Sequence, residues 1–247
     1  MANYKIIVSY DGTRYKGWQR LTTGDMTIQG KLEAILSRLA DTPIEIVGSG
    51  RTDAGVHASG QTASFKWPDN RLDEIQLLND INRYLPDDIA VTSIETVNER
   101  FHARFNAIRK TYCYTINTGR IPDVFRQRFQ YHLECTLNLE AMKQAAGLLL
   151  GTHDFTAFCG NSHLKKSAVR TIESIEIINS GNIITLRYTG DGFLQNMIRI
   201  MTGTLIEIGR GERAPESITS ILDSRNRANA GYTVPPQGLI LESVEYD

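Results

Sequence analysis

Ile44-Glu45-Ile46-Val47-Gly48-Ser49-Gly50-Arg51-Thr52-Asp53-Ala54-Gly55-Val56-His57 is the stretch on which the reading of the whole chain turns. Ile44 to Val47 is a short β-prone run that enters Gly48-Ser49-Gly50, and Gln61 to Lys66 is a second one, closed by Pro68. Two strands therefore follow each other with no helix between them. Upstream, Tyr4 to Tyr10 reads as a strand that stops at the turn dipeptide Asp11-Gly12. Thr27 then caps a helix whose apolar positions Ile28, Leu32, Ile35, Leu36 and Leu39 keep helical spacing as far as Thr42-Pro43. Downstream, Leu72, Ile75, Leu78 and Ile81 mark a second helix ended by Leu85-Pro86, and a strand follows around Ile89 to Val97. The order is β-α-β-β-α-β.

The second half gives that order again. Arg109 to Asn117 alternates as a strand, and Leu139, Met142, Ala146 and Leu149 form a helical stripe ended by Gly151. Strands follow at Thr171 to Asn179 and Asn182 to Thr189, joined by the turn Ser180-Gly181. Phe193, Met197, Met201, Leu205 and Ile208 make a long helix ending at Gly209; Pro215 starts a short extra one before a final strand, Leu239 to Tyr246. A β-α-β-β-α-β unit is the ferredoxin-like plan, a sheet with helices on one face and the other face open. The expected fold is α+β, two tandem ferredoxin-like units with mainly antiparallel sheets forming a central cleft. The expected division is an N-terminal subdomain over residues 1–105, which carries the Asp53 loop, and a C-terminal one over 106–247.

A chain of 247 residues, 41% hydrophobic and 22% charged, has ordinary globular composition. Its start does not resemble a signal peptide, and no apolar run approaches the roughly 20 residues of a membrane span. A soluble, cytoplasmic protein without membrane contact is expected. Cys113, Cys135 and Cys159 contain no Cys-x-x-Cys pair and suit a reducing compartment. His132 with Cys135 and Cys159 with His163 fit no common zinc spacing, so no metal is expected.

The formal net charge of -1 excludes a blanket basic surface, but the charges are segregated. Asp69, Asp73, Glu74, Asp80, Asp87, Asp88, Glu95 and Glu99 face only Arg71 and Arg83 in their stretch. Arg100, Arg104, Arg109, Lys110, Arg120, Arg126 and Arg128 then face only Asp123, with Phe101, Phe105, Tyr112, Tyr114 and Phe125 among them. Cations for phosphates and rings for bases suit RNA. Strand-core rings beside a solvated charged face suit the same pattern equally well.

The loop at 48–57 is glycine-rich, but the usual glycine-loop chemistries do not fit it. Asp53 stands where a dinucleotide fingerprint needs glycine, and no Gly-Lys-Ser/Thr is present for a phosphate loop. What remains is one carboxylate beside a cation on a tight loop, which by itself is an ordinary β-turn. Arg51-Thr52-Asp53-Ala54-Gly55-Val56-His57 resembles the signature of the tRNA pseudouridine synthase A family. So do Tyr10-Asp11-Gly12, Gly17-Trp18-Gln19-Arg20, Phe101-His102-Ala103-Arg104-Phe105 and Lys110-Thr111-Tyr112-Cys113-Tyr114. Asn82, Arg170-Thr171-Ile172, Gln195-Asn196-Met197-Ile198-Arg199 and Pro236-Gln237-Gly238-Leu239 fall in the same order, so the likeness spans nearly the whole chain. Leu21, where glutamine is common, and Ala58-Ser59-Gly60, where glycine often begins, depart from it.

The resemblance implies isomerisation of uridine to pseudouridine in the anticodon arm of tRNA, without cofactor, by a homodimer. It implies Asp53 as nucleophile, attacking either the electron-poor ring carbon of the uracil or the anomeric carbon as the base leaves. Arg199 pairs with it, favouring the ionised carboxylate. Tyr112 stacks on the uracil and is a candidate to move the ring proton, while Arg51 enters the stem beside the vacated base. Arg104, Arg109 and Lys110 are the candidate RNA contacts, and His57 is read as loop-positioning. A non-catalytic RNA-binding protein and a hydrolase or phosphotransferase using Asp53 covalently are the rival readings; the first has no need of Asp53, and the second wants a second acid or a metal carboxylate.

Overall fold

A computed structural model of the chain describes residues 2–24, 26–68, 73–163 and 166–247. Leu72, Asp69 and Arg71 lie outside the described residues. The chain forms two compact units, Met1–Ile108 with Ile240–Asp247, and Arg109–Leu239. It is α+β, with mostly antiparallel strand pairing and five α-helices among the described residues.

The first unit runs β1 (Ala2–Tyr10), α1 (Ile28–Ala40), β2 (Ile46–Gly48), β3 (His57–Trp67), α2 (Glu74–Tyr84) and β4 (Ile89–Val97). β1 lies between β4 and β3, antiparallel to both, with Tyr4 opposite Phe65 and Thr96. Alternation in β1 sends Tyr4, Ile6, Val8 and Tyr10 inward, all buried. α1 starts where Thr27 Oγ1 accepts the Gly30 N–H (3.3 Å) and buries Ile28, Leu32 and Leu36. α2 is capped by Asp73, which accepts from Ile75 and Gln76. Its buried side chains are Leu77 and Ile81 rather than the expected stripe, and Ile75 is 71% exposed. Of the expected stripe, Ile81 is buried, Leu78 half-buried and Ile75 turned to solvent.

The second unit begins within β5 (Ala107–Asn117) and continues β6 (Tyr131–His132), α3 (Leu139–Gly147), β7 (Gly151–Asp154), β8 (Val169–Ser180), β9 (Ile183–Gly190), α4 (Met197–Gly209) and α5 (Ser217–Ser224). The strands run β5-β9-β8-β7, all antiparallel, with β6 parallel on β5. Gly181, at φ +63, makes the β8–β9 turn. Gly151 does not end α3; the helix stops at Gly147, and Gly151, at φ +93, opens the short strand β7. α4 begins at Met197, after Phe193, because Asn196 takes the left-handed conformation at φ +59. It is buried nearly all round, and its hydroxyls are satisfied inside: Tyr188 bonds Thr202 (2.8 Å) and Thr204 donates to the Ile200 carbonyl (2.9 Å).

The last strand, β10 (Leu239–Tyr246), joins the first unit. β1 takes one edge of β3; the other edge is shared, by β2 at Ala63–Phe65 and by β10 at His57–Ala58, the latter parallel. The approach is close enough that a Cβ on Gly60 would stand 2.2 Å from the Glu242 carbonyl oxygen.

Candidate active site

The loop from Ser49 to Val56 joins β2 to β3 and is bonded along its length. Its entry is held by β3, where Ser49 N–H donates to the Thr62 carbonyl (2.8 Å), Ser49 Oγ to Gln61 Oε1 (2.7 Å), and Gln61 Nε2 to the Gly50 carbonyl (3.1 Å). Its centre is held by the segment after β1. Trp18 N–H donates to the Thr52 carbonyl (3.1 Å), the Thr52 hydroxyl bonds the Tyr10 phenol (2.8 Å), and Gly55 N–H reaches the Tyr15 carbonyl (3.3 Å). Val56 N–H donates to the Asp53 carbonyl (3.2 Å), closing a turn on the carboxylate residue itself. At the exit, buried His57 accepts the Gly12 N–H on Nδ1 (3.0 Å).

Two glycines let these segments touch. A Cβ on Gly12 would lie 2.0 Å from the Val56 carbonyl oxygen, and one on Gly17, at φ +95, 2.5 Å from that of Thr52. The blocks Tyr10-Asp11-Gly12 and Gly17-Trp18-Gln19-Arg20, distant in sequence from Asp53, are therefore the clamp on its loop. Asp53 is left half-buried.

Arg51 is exposed, yet it is held. Its Nε donates to Gln19 Oε1 (3.0 Å), Gln19 Nε2 donates to Gln29 Oε1 (2.7 Å), and Gln29 Nε2 donates to Glu33 Oε1 (2.8 Å) and the Ile46 carbonyl (3.1 Å). Arg20 N–H also donates to Gln29 Oε1 (3.0 Å), so both ends of this amide are doubly bonded and its orientation is unique. Glu33 accepts the Ile46 N–H (3.0 Å) and pairs with Arg20 at 2.7 Å. Gln29 and Glu33, 9% and 4% exposed, were not singled out in the sequence. Their signal is two polar residues four apart, each next to a core position of an amphipathic helix. Arg51 and the exposed Arg104 line one open cavity of about 160 Å³ with Trp18, Gln19, Gln29 and Gly48.

The other candidates belong to the second unit. Tyr112 on β5 is buried, opposite Tyr188, with its ring edge-on to Phe193 at 5.4 Å and 83°. Arg109, half-buried, pairs with Glu173 at 2.6 Å, and half-buried Lys110 lies opposite Gly190. Arg199 sits half-buried in the first turn of α4, donating from Nε to the Val234 carbonyl and from Nη1 to Asn196 Oδ1, both 2.8 Å. A guanidinium bonded at two of its nitrogens on a nearly encased helix is a placed group, unlike a surface arginine. Phe193, against Tyr112, and Asn196, bonded to Arg199, have no site role in the sequence reading, where Phe193 belongs to a helical stripe and Asn196 to the block that ends at Arg199.

The remaining expectations concern metals and membranes. Among the described residues, no group of three or more His, Cys, Asp or Glu is placed to hold a metal ion. No helix there is long and apolar enough to cross a membrane.

Residues 6–106 and 145–247 match the model of a family described as tRNA pseudouridine synthase. The chain is similar to the tRNA pseudouridine synthase A of Bacillus sp. (strain KSM-64), 48% identical over 100% of both chains. It is similar also to the tRNA pseudouridine synthase A 2 of Bacillus anthracis, 44% identical, and of Clostridium perfringens, 43% identical, again over 100% of each. With a match of this extent and identity along its full length, the chain belongs to the tRNA pseudouridine synthase family and is an enzyme of the isomerase class.

Proposed function

We propose that the chain isomerises uridine to pseudouridine in the anticodon arm of tRNA, with Asp53 as nucleophile and no cofactor. The bond from ribose to ring nitrogen breaks, the uracil turns, and the link is remade at a ring carbon, whose hydrogen leaves as a proton while the freed ring nitrogen takes one up, so the change is an isomerisation without oxidation or reduction. An ionised carboxylate begins this by attack either on the ring carbon or on the anomeric carbon as the base leaves. Arg199 pairs with Asp53 and keeps it ionised once the incoming base has displaced water. Tyr112 stacks on the uracil, and Arg51 enters the stem beside the vacated base, holding the target nucleotide out of the stack. Arg104, Arg109 and Lys110 meet phosphates. In this reading two ferredoxin-like units, 1–105 and 106–247, form a central cleft. The enzyme works in the cytoplasm as a homodimer, with the basic segment Arg100 to Arg128 in a shared surface.

The observation that supports this most is the clamping of the Asp53 loop: the carbonyl before Asp53 and its own carbonyl are both bonded, so the carboxylate starts from a fixed backbone. The decisive experiment is release of label from the uracil ring of a tRNA transcript by wild type and Asp53→Asn. Release at background by the variant is expected, and release at the wild-type rate overturns the nucleophile. A position-resolved pseudouridine map of the treated tRNA tests the anticodon arm.

A further inference from the structure

The segment between β4 and β5 ends in a closed turn at 102–106. Ala103, wholly buried, is fixed on both sides: its N–H donates to Ser64 Oγ on β3 (3.2 Å), and its carbonyl accepts the Tyr246 phenol of β10 (2.7 Å). Burial pushes the Tyr246 pKa up to about 12, so the phenol stays a donor. His102 N–H donates to Asn106 Oδ1 (2.8 Å), and Asn106 N–H returns to the His102 carbonyl (3.1 Å). Inside the turn, His102 Nδ1 accepts the N–H groups of Arg104 and Phe105, both at 3.2 Å.

These bonds lay the imidazole against the Phe105 ring, centroids 4.2 Å apart and planes 25° from parallel. Phe105 stays 75% exposed. Its neighbour in the same motif is treated differently: Phe101 packs on Tyr246 at 5.1 Å under the Lys5 ammonium. Of the two phenylalanines, the fold uses Phe101 and presents Phe105. Arg104 beside it is exposed and reaches the cavity that Arg51 lines.

We propose that Phe105, backed by His102, is a stacking platform for an unpaired nucleobase of the RNA substrate, with Arg104 beside it on a phosphate. The proposal rests on the tRNA reading given under Proposed function. Every base offers a π face, and a ring already stacked and anchored loses little freedom on receiving one. The flanking Arg100 and Arg104 suit a polyanion better than an apolar protein surface.

The test is binding of an unmodified tRNA transcript across a salt titration, by wild type, Phe105→Ala, Phe105→Tyr and Arg104→Ala. Phe105→Ala is expected to weaken binding about tenfold at every salt concentration, with an unchanged slope, and Phe105→Tyr to restore it. Arg104→Ala is expected to lower the slope by about one. Binding by Phe105→Ala within about twofold of wild type overturns the platform. So does a change in its sedimentation with tRNA affinity intact, since the ring would then serve a contact between copies. Pseudouridine formation is scored separately: a wild type that binds tRNA but forms none defeats the functional reading and leaves the binding comparison to judge the platform.

Discussion

The Tyr10 phenol and the Thr52 hydroxyl share a buried hydrogen bond of 2.8 Å, which ties the last residue of β1 to the residue before Asp53. Tyr10→Phe leaves the buried Thr52 hydroxyl one partner short, at a cost of about 1–3 kcal/mol. Urea unfolding should record that loss, and turnover should fall by about ten- to a hundredfold, as expected when a reacting group shifts by a fraction of an ångström. Turnover equal to wild type would show that this tether does not position Asp53.

Gly17 and Gly24 both have positive φ, +95 and +74, but a Cβ meets the Thr52 carbonyl at the first and nothing within 4 Å at the second. Gly24→Ala should cost only the left-handed penalty, about 1–2 kcal/mol, with turnover unchanged. Gly17→Ala adds a collision with the Asp53 loop and should lose both more stability and most activity. The comparison is read from unfolding curves and single-turnover rates measured in parallel.

Gln29 acts on Arg51 at one remove, through Gln19. Gln29→Met keeps the bulk and removes the amide, so Arg51 should lose its order. Faster hydrogen exchange at Arg51 Nε is the direct readout, with a rise in KM for tRNA of about three- to tenfold, the loss of one hydrogen-bond step. In Arg51→Met the second change should add nothing to KM; additive effects would show that Gln29 acts apart from Arg51, through its bonds to Glu33, Ile46 and Arg20.

Asp88 holds the same clamp from β4's side. It accepts from the Tyr15 phenol (2.6 Å) and from Arg14 Nε (3.0 Å), while its carbonyl takes the Asp11 N–H (2.9 Å). Burial pushes its pKa up, but the bonds from Tyr15 and Arg14 outweigh it, and the carboxyl ends below its ordinary 3.8. Its contribution to stability is therefore complete above that ordinary value and is lost as pH falls below it through the folded value. Asp88→Asn should be less stable than wild type at pH 6, with the gap narrowing in acid. A gap independent of pH down to 2 would contradict the ionic part of this account.

Several elements were legible because their signals are local. The Thr27 cap, the Ser180-Gly181 turn and the last strand at Leu239–Tyr246 depend on a few neighbouring residues. The buried face of α2 is ambiguous in the sequence because Ile75 with Leu78 and Leu77 with Ile81 both fit a helical period, and only packing against the sheet distinguishes them. β7, four residues long, is too short to alternate visibly. At the candidate site the carboxylate loop stood out only by resemblance to a family. The contacts that make it rigid, Tyr10 to Thr52 and Trp18 to Thr52, join residues whose spacing carries no pattern. Gln29 and Glu33 were hidden for a related reason, since polar residues on a helix are read as solvated until their partners are seen.

The parallel pairing of β10 with His57–Ala58 also sets a timetable. Residues 240 and 241 leave the ribosome after the whole second unit, and at about 5–20 residues per second the Asp53 loop waits on the order of ten seconds for the strand that borders its exit. Through that interval the nascent chain carries a β3 edge with open amides and carbonyls at His57–Ala58, the kind of edge that invites foreign strands and is shielded by chaperones.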